Sequence, residues 1–136
     1  MIGWFGGWGR DCSFILRGGE MVYTELEVWK VGIEFVRCVY GMTKTFPRDE
    51  LFGLTSQLRR AAVSIPANIS EGSGRKSTKE FIRFLYIANG SLCECETLLI
   101  ISLQLDYIKT ENSYLSYIKR LRSMLHRLIK SLESKI

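Results

Sequence analysis

Gln57-Leu-Arg-Arg-Ala-Ala-Val-Ser-Ile-Pro-Ala-Asn-Ile-Ser-Glu-Gly-Ser-Gly-Arg75 decides how this chain folds. With Leu51 and Leu54 before it, Leu58, Ala62, Ile65 and Ile69 recur at steps of three and four, the spacing of one apolar helix face. Pro66 sits inside that pattern. A proline removes an amide donor and disturbs the carbonyl four residues back, so the helix bends there or its carbonyls find other donors. Ser64 and Asn68 carry side chains suited to that task. Gly72 and Gly74 are expected to end the helix, because glycine accepts the left-handed conformation that closes helix C-termini. The basic turn at Arg75 then leads straight into a second long helix.

Working outward, every other segment repeats the helical theme. Upstream, Val22, Leu26, Trp29, Ile33, Val36 and Tyr40 form one stripe, and Phe46-Pro47 breaks it. Pro47 suits the first turn of the next helix, with Asp49 and Glu50 favouring its positive N-terminal end. Downstream, Ser77-Thr-Lys-Glu80 has the form of a capping box. Phe81, Phe84, Leu85, Ala88, Leu92, Cys95 and Leu99 follow as a third stripe that is expected to fade at Ser102. After a connection over Asp106 to Asn112, Tyr114, Ile118, Leu121, Leu125, Leu128 and Leu132 make the fourth. No segment alternates with the period of a strand. The expected fold is all-α, an antiparallel up-and-down four-helix bundle over residues 21–136, with short connections between helices of about 20 residues.

Two helices carry more apolar surface than one core needs. On the first, Val28, Phe35, Val39 and Met42 lie two residues out of phase with the main stripe, roughly on the opposite side. On the third, Ile82, Tyr86, Ile100, Leu103 and Tyr107 run beside the main stripe. A helix apolar on two faces is sandwiched or binds another subunit. Val28, Phe35, Val39, Ile82, Tyr86, Ile100 and Leu103 are therefore expected at a contact between copies. The alternative is a thick core with some exposed apolar side chains, which is normal in monomers.

At 136 residues the chain fits one domain with a real core. Its longest uninterrupted apolar runs are a handful of residues, so neither a membrane span nor a membrane partner is expected, and the protein is placed in the cytoplasm. Residues 1–20 differ from the rest: they hold six of the twelve glycines, plus Trp4 and Trp8, without periodicity. Codons for Arg17-Gly-Gly-Glu20 can spell a ribosome-binding tract just ahead of Met21. Residues 1–20 are thus either a mis-assigned leader, with Met21 the true start, or a flexible tail. Cys93 and Cys95 point to different faces of a helix, Cys12 and Cys38 stand alone, and His126 is the one histidine, so no metal site or cofactor is expected.

The net charge of +5 suits an acidic partner. Residues 48–83 hold seven Lys or Arg against four acids, and residues 109–136 seven against two. Gly72-Ser-Gly-Arg75 lacks the spacing of a phosphate-binding P-loop. Glu71 has no second positioned group to make it catalytic, and a tether to Arg75 is its plainer role. No enzyme is expected, and no catalytic residue is assigned.

Four segments carry a family resemblance: Leu26-Glu-Val-Trp29, Phe46-Pro47, the run from Gln57 to Gly72, and Phe84-Leu-Tyr-Ile-Ala-Asn-Gly-Ser-Leu-Cys-Glu-Cys-Glu96. The chain resembles the four-helix-bundle proteins first noted in intervening sequences of bacterial 23S ribosomal RNA genes. Ser70 stands where alanine is commoner, and Asn89 where a small apolar residue is usual. The resemblance implies a protomer that assembles with itself into a ring, a homopentamer. Relatives include the accessory variability determinant of diversity-generating retroelements, a basic barrel that binds nucleic acid and partners a reverse transcriptase.

Arg75, Lys76, Lys79 and Arg83 cluster at the junction of the second and third helices, with Arg59 and Arg60 further back along the second. A helix N-terminus adds free amide donors there, an arrangement suited to phosphate. These six residues are the candidate contacts to RNA or DNA. Few aromatics lie among them, so phosphate contact with a steep salt dependence is expected rather than base stacking. The competing explanation is a solvated basic face paired with Glu71 and Glu80, on a protein–protein interaction module. Lys119, Arg120, Arg122, Arg127 and Lys130 flank the fourth stripe as an ordinary polar face.

Overall fold

The computed structural model describes residues 16–17, 20–109 and 112–136. It is all-α in its body: α1 spans Glu27–Thr43, α2 Leu54–Ser73, α3 Thr78–Gln104 and α4 Asn112–Glu133. Before α1, Leu16–Arg17 and Glu20–Met21 form a two-residue antiparallel ladder, and Tyr23–Glu25 a 3-10 turn. The expectation of a leader or tail over residues 1–20 otherwise falls outside the described residues.

The helices contact in a cycle, α2 against α1 and α3, and α4 against α3 and α1. Between them lies one core that includes Phe35, Leu58, Ile65, Leu85, Leu92, Ile118, Leu121 and Leu125, all excluded from water. The α3 and α4 stripes are buried throughout as their spacing predicts. Ser102 extends the α3 stripe beyond its expected end, its hydroxyl donating to the Leu98 carbonyl at 2.8 Å. That bond removes the cost of burying a hydroxyl.

In α1 the buried face is rotated from the one expected. Val28, Val31, Gly32, Phe35 and Val39 face the core; of the expected stripe, Leu26, Trp29 and Val36 pack half-buried at its edge, while Ile33 and Tyr40 are 37% and 41% exposed. Val28, Phe35 and Val39 are thus packed inside the protomer and are not available to a second copy. Ile82 on α3 is buried as well. Gly32 lies against α2, where a Cβ would make an ordinary contact of 3.5 Å with the Cβ of Pro66. Tyr40 has a polar tip that tolerates water.

Helix α2 starts later than expected. Pro47 precedes a 3-10 turn at Arg48–Glu50, and the helix begins at Leu54, leaving Leu51 and Phe52 facing solvent. Glu50 caps it from upstream, its Oε2 accepting from the Leu54 amide at 3.0 Å. At the other end Gly74 is the cap where the helix stops, as expected, but in a right-handed conformation, whereas Gly72 lies inside the last turn. The need at Gly72 is proximity: a Cβ there would stand 2.6 Å from the Phe84 Cβ and 2.9 Å from Phe81 Cδ2. Around Pro66 the helix continues, and Asn68 Nδ2 donates to the Ser64 carbonyl at 2.7 Å. Ser64 Oγ meets Ser91 Oγ across the α2–α3 seam.

Helix α3 is long and apolar enough, by length and composition, to cross a membrane, although charged residues interrupt its apolar runs. Its buried stripe packs on the neighbouring helices. It ends at Asp106, whose φ of 58° is left-handed, with the Tyr107 amide returning to the Ser102 carbonyl at 2.9 Å. This is the Schellman closure, with aspartate in the position glycine usually fills.

Candidate nucleic-acid interface

The α2–α3 junction is built by the close approach at Gly72. With no Cβ in the way, the end of α2 rests on Phe81 and Phe84 of α3. The Arg75 amide bonds back to the Gly72 carbonyl at 3.1 Å, and the chain re-enters a helix at Thr78. Ser77 caps that helix, its Oγ accepting from the Glu80 amide at 3.1 Å. The reciprocal half of the capping box is absent, because Glu80 turns instead to Arg83. The remaining first-turn amides of α3 have no partner within the helix and point toward the turn.

This path brings Arg75 and Arg83 onto one ring. Both guanidinium groups lie over Phe84, each 4.9 Å from its centroid, so a largely buried phenylalanine becomes a shared platform. Each arginine also holds a neighbouring carboxylate: Arg75 Nη2 donates to Glu71 Oε1 at 2.7 Å, and Arg83 Nε to Glu80 Oε2 at 3.1 Å. Both pairs are about half exposed, so they orient side chains more than they stabilise the fold. Lys76 and Lys79 are exposed beside them and form no ion pair among the described residues. The junction therefore sets two positioned guanidiniums and two free ammonium groups around a helix N-terminus. Such a surface can accept a phosphate without rearranging its backbone.

Arg59 and Arg60 do not join that cluster. They stand near the start of α2, roughly 20 Å from Arg75 at 1.5 Å of helix rise per residue. Arg59 is tied to α1: its Nε donates to Thr43 Oγ1 at 2.8 Å, and its guanidinium covers the Tyr40 ring at 4.6 Å. Thr43 in turn donates to the Val39 carbonyl at 2.7 Å. Arg60 is exposed. On α4, Arg122 is held by Glu96, a hydrogen bond that raises its pKa further, and Arg120 lies 3.9 Å from Glu27.

Of the residues expected between copies, Tyr86 and Ile100 are exposed and Leu103 is half-buried against the core. Tyr86 Oη reaches Glu133 Oε1 at 3.4 Å. Two features escape a reading of the sequence. The Phe84 platform depends on how the turn directs Arg75, and the Arg59–Thr43–Tyr40 contact depends on the crossing of α1 and α2. The one local signal is the four-residue step from Glu71 to Arg75, which the structure turns into an ion pair.

A family model described as 23S rRNA-intervening sequence protein matches residues 24–130. No curated protein matches the chain.

Proposed function

We propose, since the chain belongs to the 23S rRNA-intervening sequence protein family, that it is a non-enzymatic accessory or scaffold that binds RNA or DNA. In this proposal successive helices run antiparallel, and copies assemble into a closed ring of five in the cytoplasm. Contact is made through phosphates by Arg75, Lys76, Lys79 and Arg83. The observation that carries it is the pair of ammonium groups, Lys76 and Lys79, without an ion pair among the described residues and set beside two guanidiniums fixed on Phe84 at the start of α3. Repetition around a ring multiplies a weak contact by raising the effective concentration of the next one.

Fluorescence anisotropy tests the proposal, with labelled structured RNA and duplex DNA titrated from low to physiological salt. The wild-type chain is expected to bind with a steep salt slope. Replacing Lys76 and Lys79 by Gln is expected to flatten that slope by about 0.9 for each duplex-DNA phosphate left without its cation. Replacing Arg60, at the far end of α2, is expected to change it less. No binding at low salt would overturn the proposal.

One observation favours a second reading. Arg75 and Arg83 already hold Glu71 and Glu80, which is how a solvated basic face satisfies itself. In that case the chain is a protein–protein interaction module, and the neutralised variant keeps its partner.

A further inference from the structure

Two glycines lie in helices where no contact among the described residues requires them. Gly41, in the last turn of α1, and Gly90, in the middle of α3, are both exposed, and a Cβ added to either would meet nothing within 4 Å. Glycine in a helix costs stability relative to alanine. Gly72 offsets that cost with its close approach to Phe84 inside the protomer. Gly41 and Gly90 have no such contact among the described residues, which leaves their bare backbone open to the close approach of another surface.

Each of the two glycines sits on an exposed face with apolar neighbours, and the two faces carry opposite charge. On α3 the face runs through Ile87, Gly90, Glu94 and Ile101; from Tyr86 to Leu105 its exposed charge is Glu94 alone. On α1 it runs through Ile33, Arg37, Tyr40, Gly41 and Lys44, with two cations and no exposed acid. Arg59, lying over Tyr40, adds a third cation. The helices contact in a cycle in which α1 and α3 are the diagonal pair, so these faces point away from each other. One molecule cannot join its own two faces, but two molecules can.

We infer that the outer face of α1 in one copy packs against the outer face of α3 in the next. Gly41 and Gly90 let the helices close, and Glu94 meets the cations around Tyr40. Such a contact is heterologous: every copy offers one face and receives the other, so the chain of contacts closes into a ring if the rotation allows. The inference rests on the self-association proposed above and specifies the surfaces that produce it.

Light scattering on the purified full chain tests it, with helicity followed by circular dichroism. The wild type is expected to exceed the protomer mass of 15.6 kDa several-fold. Gly41→Trp and Gly90→Trp, each filling space that is open in the protomer, are each expected to give protomers of unchanged helicity. Mixed together, they are expected to form a species of twice the protomer mass, because one variant keeps an intact α3 face and the other an intact α1 face. Glu94→Arg and Arg37→Glu provide a second route: each alone weakens assembly, and the double variant restores it. A wild-type chain that stays a protomer overturns self-association itself. An assembled wild type whose mass neither tryptophan changes overturns only the pairing of these faces. Two protomeric variants that fail to combine overturn its heterologous character.

Discussion

Single side chains in this protein are decided by what stands within a few ångströms of them. Gly72 is the clearest case, since a methyl group there meets the Phe84 Cβ at 2.6 Å, and a Cβ cannot swing aside as a side-chain tip can. Gly72→Ala must push α2 and α3 apart, and overpacking of this kind costs about 1–3 kcal/mol. Thermal denaturation is expected to show a midpoint lower by roughly 4–12 °C. Asp106 is the converse: its left-handed φ of 58° is strained for any side chain, so Asp106→Gly is expected to raise stability by up to about 1 kcal/mol in urea unfolding. Cys95 sets a pH dependence. Burial first, and Glu94 second, push its thiol from 9.0 up to about 12. An unfolded chain ionises that thiol above about pH 9 while the folded chain keeps its proton, so the unfolded state binds fewer protons and stability falls as pH rises. The contribution is fully present below pH 9 and is lost toward pH 12, by at most about 1.4 kcal/mol per pH unit. Tyr117, also raised chiefly by burial, adds a slope of the same sign. Urea midpoints at pH 7 and pH 10.5 should therefore converge in Cys95→Ala compared with wild type, without becoming equal.

At the level of elements, legibility in the sequence follows the number of apolar faces. Helices α3 and α4 each carry a dominant stripe, and every expected residue of those stripes is buried. Helix α1 carries two stripes of similar strength, and local spacing contains nothing to choose between them. The choice is made across the fold, where α1 packs on α2 and α4, and no periodicity within α1 reports on those helices. Helix ends divide in the same way. Ser77 can be read as a cap because its partner amide lies three residues on, whereas Glu50 caps α2 only because an intervening 3-10 turn delays the helix to Leu54. The basic residues follow suit. Arg75 and Arg83 group together because a short turn joins them, while Arg59 belongs to α1 through Thr43, a tertiary contact. The element-scale prediction concerns that tie. Arg59→Ala removes the donor to a buried threonine hydroxyl, which keeps its bond to the Val39 carbonyl, and uncovers Tyr40; it is expected to cost about 1 kcal/mol. Arg60→Ala, exposed one residue away, should change the urea midpoint little.

For the whole molecule, the proposed phosphate contact and the proposed contact between copies involve different regions: the α2–α3 turn for the first, the middle of α3 and the end of α1 for the second. That separation lets them be uncoupled. A single junction offers two free ammonium groups and two guanidiniums already shared with carboxylates, enough for only a weak electrostatic grip. In an assembly the same junction recurs, and a strand long enough to reach two of them binds the second at a raised effective concentration, a gain that can reach about 10²–10⁴-fold. A short oligonucleotide occupying one junction gains nothing from assembly. The assembled wild type is therefore expected to prefer a long RNA over a short one of the same composition by far more than the ratio of their lengths. Gly90→Trp, with its basic junction untouched, should bind the short RNA as the wild type does and lose most of the preference for the long one. Anisotropy titrations of both RNAs at one salt concentration measure this directly. Equal preference in the two proteins would mean that assembly and nucleic-acid binding are independent.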